Sequence, residues 1–277
     1  MNPERRRFIL GAAATVGAAA TPQVSAGRPP PATALRAIAF DAFPILDPRP
    51  IGAACERAFP GRGKELAALW RTRQFEYQWL RALAGRYVDF WHATSDALVH
   101  ACESLGLTAG PRVRDELMQQ FLELGVWPDV PYALRALKQC GLSIAFLSNA
   151  TTSILEGAIG RAGVAPLFDH VISTDRIRAY KPDPRAYQLG VDVLGMRREE
   201  ILFVAFAGWD VAGAKWFGYR TFWNNRLNAA PEQLGALPDA SGVALDALVR
   251  YVDGKRMGWP MGLEPTTAEI TTRGSTN

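Results

Sequence analysis

The chain has 277 residues, 48% of them hydrophobic and 21% charged, a balance that excludes wholesale disorder and leaves room for a sizeable core. Its formal charge of +4 comes from Arg and Lys interspersed with Asp and Glu, and no nucleic-acid motif is present, which excludes a dedicated polyanion-binding surface. Three scattered cysteines, Cys55, Cys102 and Cys140, give neither a disulfide framework nor a zinc site, and Cys140 sits in an apolar pattern that predicts a buried small residue.

In chain order, residues 1–26 read as an export signal. Arg5-Arg6-Arg7-Phe8-Ile9-Leu10 leads into a small-apolar run, and Val24-Ser25-Ala26 offers a cleavage site. The run is too short and too rich in Ala and Gly to span a membrane well. The paired arginines resemble a twin-arginine signal, which implies a periplasmic protein carried in folded form by the twin-arginine translocase. A Pro-rich linker follows at 27–32.

Residues 35–40 read as a buried strand that ends at Asp41. The next stretch lacks strands and shows helical patterns at 64–83, 95–105 and 112–124, so 49–125 is predicted to be an inserted helical cap. Beyond it, helices at 132–139, 153–162, 183–194, 210–217 and 245–252 alternate with strands at 142–147, 170–173, 201–206 and 219–223. This rhythm predicts an α/β fold, a Rossmann-like doubly wound parallel sheet formed by 33–48 and 126–253, with 254–277 a loose tail. Asp41, Ser148-Asn149, Lys181 and Asp210 close successive apolar runs, and in such sheets ligands collect beyond the carboxyl ends of the strands. A carboxylate, a hydroxyl, an ammonium and a second carboxylate in one crevice point to covalent catalysis at Asp41, although an Asp after a strand also serves as a helix cap.

The segments Phe40-Asp41-Ala42-Phe43, Leu147-Ser148-Asn149, Tyr180-Lys181-Pro182-Asp183 and Trp209-Asp210 resemble the four motifs of the haloacid dehalogenase superfamily. The stretch 59–63 with Leu69-Trp70-Arg71, Glu76-Tyr77 and Trp79-Leu80-Arg81 resembles the helical cap of the (S)-2-haloacid dehalogenases. The resemblance implies that Asp41 attacks Cα and displaces halide with inversion, and that water then hydrolyses the aspartyl ester. Short (S)-2-haloalkanoic acids would become (R)-2-hydroxy acids. It further implies that Ser148 and Asn149 hold the substrate carboxylate, that Lys181 steadies Asp41, that Asp210 serves catalysis and that Arg71 receives the halide. Phe43, Phe75, Phe90, Tyr187 and Trp209 match pocket positions, and the cap can support a homodimer.

Phe43 stands where phosphatases of the superfamily carry a second, magnesium-binding Asp, and Ala205-Phe206-Ala207-Gly208 offers no further acid. A hard cation needs several oxygen ligands, so the reaction is predicted to be metal-free and without cofactor. The chain also departs from the dehalogenases. Its loop after Asp41 is one residue shorter, with Pro44-Ile45 replacing Gly-Thr, and Ala205 and Ala207 replace a serine and an asparagine. Two other readings follow: a periplasmic carboxylate-binding protein with poor turnover, and a phosphatase that draws an acid from its cap.

Overall fold

The computed structural model describes residues 34–256, so the export signal and linker expected at 1–32, and most of the expected tail, lie outside the described residues. Among the described residues a single parallel sheet contains β1 (Ala37–Phe40), β2 (Ser143–Ser148), β3 (His170–Ser173), β4 (Ile201–Ala205), β5 (Arg220–Asn224) and β6 (Ala240–Gly242). Their spatial order is β3-β2-β1-β4-β5-β6. Because side chains alternate across a strand, β1 sends Ile38 and Phe40 to one face and Ala37 and Ala39 to the other. All four are fully buried, which is why the strand reads as an unbroken apolar run.

Helices cover both faces. α5 (Val130–Gln139), α6 (Thr152–Arg161) and α9 (Leu245–Arg256) pack on the Phe40 side, and α7 (Pro184–Leu194) and α8 (Gly208–Phe217) on the Ala39 side. The chain winds outward from β1 through β2 to β3, then crosses back to β4. The carboxyl ends of β1 and β4 therefore flank a topological switch point, where the backbone diverges and leaves a crevice.

The cap consists of α1 (Arg49–Ala58), α2 (Gly63–Leu83), α3 (Phe90–Ser104) and α4 (Pro111–Leu122). Its core, including Trp70, Phe90, Leu98 and Phe121, is continuous with the Phe40 side of the sheet. α1 and α2 approach so closely that a Cβ at Gly63 would collide with the Glu56 backbone. The two crossings between core and cap run side by side. Leu46 bridges Val126, the Trp127 N–H donates to the Ile45 carbonyl at 3.0 Å, and the Asp47 N–H donates to the Gly125 carbonyl at 3.0 Å.

Several elements differ from expectation. α1 was not anticipated, because Pro50 and Gly52 interrupt its pattern, yet Pro is tolerated in a first helical turn. α3 begins at Phe90 rather than 95, since the Asp89 carboxylate caps it by accepting from the His92 N–H at 2.8 Å. The short edge strand β6 escaped a reading based on longer runs, and α9 continues past 253 to Arg256. Cys140 is only partly buried, at the end of α5, with its thiol 3.2 Å from the Asp253 carboxylate.

Candidate active site

Asp41 leaves the end of β1 with its N–H bonded to the Val204 carbonyl at 3.0 Å, which fixes the backbone at the switch point. Its Oδ1 accepts from Lys181 Nζ at 2.9 Å and from Ser148 Oγ at 3.3 Å. Among the described residues Oδ2 receives only a long bond, 3.4 Å, from the Phe43 N–H. One oxygen is thus clamped while the other keeps lone pairs available, the arrangement that an attacking carboxylate needs.

Lys181 is not at a strand end, as the apolar runs suggested. It lies beyond the 3-10 turn Thr174–Ile177 that follows β3, and Asp210 lies in the first turn of α8. The loop is tied to the site by Asn149, whose Oδ1 accepts from the Lys181 N–H at 2.9 Å and from Thr174 Oγ1 at 3.2 Å. Trp79 of the cap donates its indole N–H to the Lys181 carbonyl at 3.1 Å. The ammonium, without exposed surface, bridges Asp41 and Asp210, the latter at 2.6 Å. Burial opposes its charge, but the two carboxylates prevail and hold its pKa above the ordinary lysine value.

Asp210 is pushed up to about 6, chiefly by burial, against the pull of Lys181. Tyr187 donates its hydroxyl to Asp210 Oδ1 at 2.7 Å. Burial holds the phenol well above its usual pKa, so it remains a neutral donor. The close approach requires Gly213, where a Cβ would collide with the Tyr187 hydroxyl and Pro182. Tyr187 therefore stands behind Asp210, away from the substrate space.

Of the remaining residues singled out in the sequence, Phe43, Arg71, Phe75, Phe90, Ser148, Asn149 and Trp209 line one small chamber with Asp41. Arg71 reaches over it from α2, its guanidinium 5.5 Å from the Phe206 ring centre and 5.8 Å from that of Phe75. Its neighbours Arg73 and Arg81 pair with Glu76 and Asp96, whereas Arg71 forms no salt bridge among the described residues. A cation without a salt bridge among the described residues, lying over aromatic rings and facing a nucleophilic carboxylate, suits an anion that departs from the attacked carbon. Phe75, Trp79 and Trp209 pack edge to face or stacked, with centroids 5.3–5.8 Å apart, and close the cap onto α8.

The structure refines the roles of Ser148 and Asn149. The serine hydroxyl is directed to Asp41, and the asparagine amide nitrogen to Gln78 Oε1 at 3.3 Å and the Lys181 carbonyl at 3.5 Å. Ala150, on the same wall just before α6, gives its N–H to Ser148 Oγ at 3.2 Å.

Three residues not anticipated from sequence support this arrangement. Gln78 joins cap to core through Asn149, and its buried amide nitrogen has no partner among the described residues. Trp127 donates its indole N–H to the Phe43 carbonyl at 3.0 Å, and Arg226 donates to the Pro44 carbonyl at 2.8 and 3.1 Å. Arg226 also pairs with Asp129 at 3.0 Å and lies over the Trp127 ring. Together they hold the shortened loop that follows the nucleophile.

Fold and site define a hydrolase in which a strand-end aspartate forms a covalent intermediate under a helical cap. Residues 25–218 match the haloacid dehalogenase-like hydrolase family, and the chain belongs to it. The chain is 43% identical over 219 residues to haloacetate dehalogenase H-2 of Moraxella sp. (strain B), covering 79% of this chain and 98% of that one. To the (S)-2-haloacid dehalogenase of Pseudomonas sp. (strain YL) it is 43% identical over 220 residues, covering 79% and 95%. The solved L-2-haloacid dehalogenase of Xanthobacter autotrophicus with chloropropionic acid covalently bound superposes with a TM-score of 0.72 at 34% identity, covering 79% and 99%.

Proposed function

We propose that the protein hydrolyses short (S)-2-haloalkanoic acids to (R)-2-hydroxy acids without a metal. The observation that carries this reading is the pairing of a lightly bonded Asp41 Oδ2 with an uncommitted Arg71 across one chamber. Asp41 Oδ2 attacks Cα opposite the halogen, the carbon–halogen bond breaks with its electrons on the halide, and Arg71 receives that anion. Water then adds to the ester carbonyl as Asp210 accepts one of its protons, Asp210 returns that proton to the departing alkoxide oxygen as the acyl bond breaks, and the hydroxy acid leaves while the regenerated Asp41 carboxyl releases the remaining proton to solvent.

Halide release from the separate enantiomers of 2-chloropropionate, with chelator present, tests it. The (S) acid is expected to yield (R)-lactate and chloride. Absence of release from both enantiomers by folded protein would overturn the reading.

The same proposal places the mature protein in the periplasm, supported by Arg5-Arg6-Arg7 before the small-apolar run of the first 26 residues. It includes a homodimer through the cap, supported by the exposed Leu80 and Leu83 of α2, to be measured by light scattering.

A further inference from the structure

Lys181 stands at the end of a loop that the core does not hold by itself. From β3 the chain passes through the 3-10 turn Thr174–Ile177, then Arg178, Ala179 and Tyr180, before it delivers the ammonium to Asp41 and Asp210. Arg178 has φ 51° and ψ 47°, in the left-handed region. Among the described residues it shares a positive φ outside glycine with Asn228 alone. Asparagine enters that region readily, whereas arginine does so at a cost and stays there only where its surroundings over-determine it.

Those surroundings come from the cap, whose loop 84–89 between α2 and α3 lies against the turn. The Tyr87 hydroxyl donates to Asp175 Oδ1 at 2.7 Å, across 88 positions of sequence. Burial holds that phenol above its ordinary pKa, so it remains a protonated donor. The Arg178 guanidinium lies 5.3 Å from the Tyr87 ring centre and gives an N–H to the Tyr87 carbonyl at 3.5 Å. Tyr180 packs on Tyr87 with ring centres 5.0 Å apart and donates its hydroxyl to the neighbouring Val88 carbonyl at 2.8 Å. One cap residue thus meets the Lys181 loop at positions 175, 178 and 180.

We propose that Tyr87 is a positioning residue for Lys181: it holds the left-handed turn at Arg178 closed, and that turn sets where the ammonium stands between Asp41 and Asp210. The charge that serves the core is then put in place by the cap. The use made of Lys181 rests on the dehalogenase reading, but the position of its ammonium can be read without turnover.

Asp210 is the reporter. Lys181, Asp41 and Tyr187 face it, and of these Lys181 and Tyr187 favour its ionised form. Protein labelled with 13C in the aspartate carboxyl is titrated by NMR, and the Asp210 signal is identified by its loss in Asp210→Asn. The wild type is expected to titrate at about 6. A neighbouring opposite charge lowers a carboxyl by about one to three units, so partial withdrawal of the ammonium should raise the midpoint by about half a unit in Tyr87→Phe. Tyr87→Leu, which loses the ring as well, should raise it by about one unit. Arg178→Asn accepts the left-handed conformation without the clamp, so adding it to Tyr87→Phe should return the midpoint to the wild-type value.

An unshifted midpoint in folded Tyr87→Phe and Tyr87→Leu overturns the proposal, since a merely structural tyrosine would lower the thermal midpoint and leave the carboxyl alone. So does a raised midpoint that Arg178→Asn fails to restore, because the turn would then not be what Tyr87 holds. A failure of the separate halide assay would remove the dehalogenase reading and leave the carboxyl titration to decide the role of Tyr87.

Discussion

Tyr187→Phe offers a clean test of how the buried carboxylate is tuned. The hydroxyl bonds Asp210 Oδ1 at 2.7 Å, while the ring is held by Phe203, Phe217 and Tyr219, so the variant keeps its packing and loses one donor. A hydrogen bond to a buried charge is worth ~1.5–3 kcal/mol, and one pKa unit corresponds to about 1.4 kcal/mol. That bond favours ionised Asp210, so its loss should raise the carboxyl by about one to two units from a starting point of about 6. Asp210 must be unprotonated to accept a proton from water, so ester hydrolysis is lost as pH falls. In the ester the charge of Asp41 is gone, which removes one contribution to the rise and places the wild-type acid limb below about 6. The variant's limb should lie about one to two pH units higher than the wild type's, with the plateau at high pH recovered. Single-turnover decay of the ester, followed by quenched intact mass between pH 5 and 9, measures both limbs. Coincident limbs, with the variant folded, would refute Asp210 as the water-activating base.

Asp41→Asn should abolish halide release while leaving the thermal midpoint close to wild type, since the amide has nearly the same shape; undiminished release from folded protein would contradict the covalent mechanism. Arg226→Met should cost about 3 kcal/mol in urea unfolding, because two bonds to the Pro44 carbonyl and the Asp129 pair are lost, and kcat should fall with it. Neither Ala205 nor Ala207 has a side chain that can hydrogen-bond a water beside Asp210, so ester hydrolysis should be slower than attack. Chloroacetate should then give a burst of chloride equal to the enzyme, with a mass adduct on Asp41, and linear release without adduct would show attack to be limiting. Replacing Arg5 and Arg6 by Lys should leave the precursor in the cytoplasm, as read by cell fractionation.

Much of this site could be read in the sequence because its parts stand at boundaries between apolar runs. Asp41 follows, and Ser148 ends, a strand that is buried on both faces, and such strands announce themselves by uninterrupted hydrophobicity. Lys181 shows the limit of that logic. An isolated lysine reads as solvated, and its burial arises from a fold that brings Asp41 and Asp210 to it across 140 and 29 positions of sequence. Arg71 carried no sufficient local signal: on α2 it has no acid at helical spacing, whereas Arg73 has Glu76, but Arg81 lacks one too and still pairs with Asp96 of α3, so only the likeness to the dehalogenase cap singled Arg71 out. Arg226 carried no such mark, since its partner carbonyl is 182 residues away and any residue at position 44 presents one.

The paired crossings at Leu46 and Val126 divide the labour of the enzyme along the chain. Asp41, Lys181 and Asp210 belong to the core around the sheet, while Arg71, Phe75 and Phe90 arrive on helices that leave and return through one narrow gate. The bond-making half of the reaction is thus inherited with the core, and the preference for a leaving group is inherited with a module joined at two adjacent points. A cap exchanged at that gate enters as one covalent unit, but it must bring its own partners for the Lys181 carbonyl and Asn149, which Trp79 and Gln78 supply here.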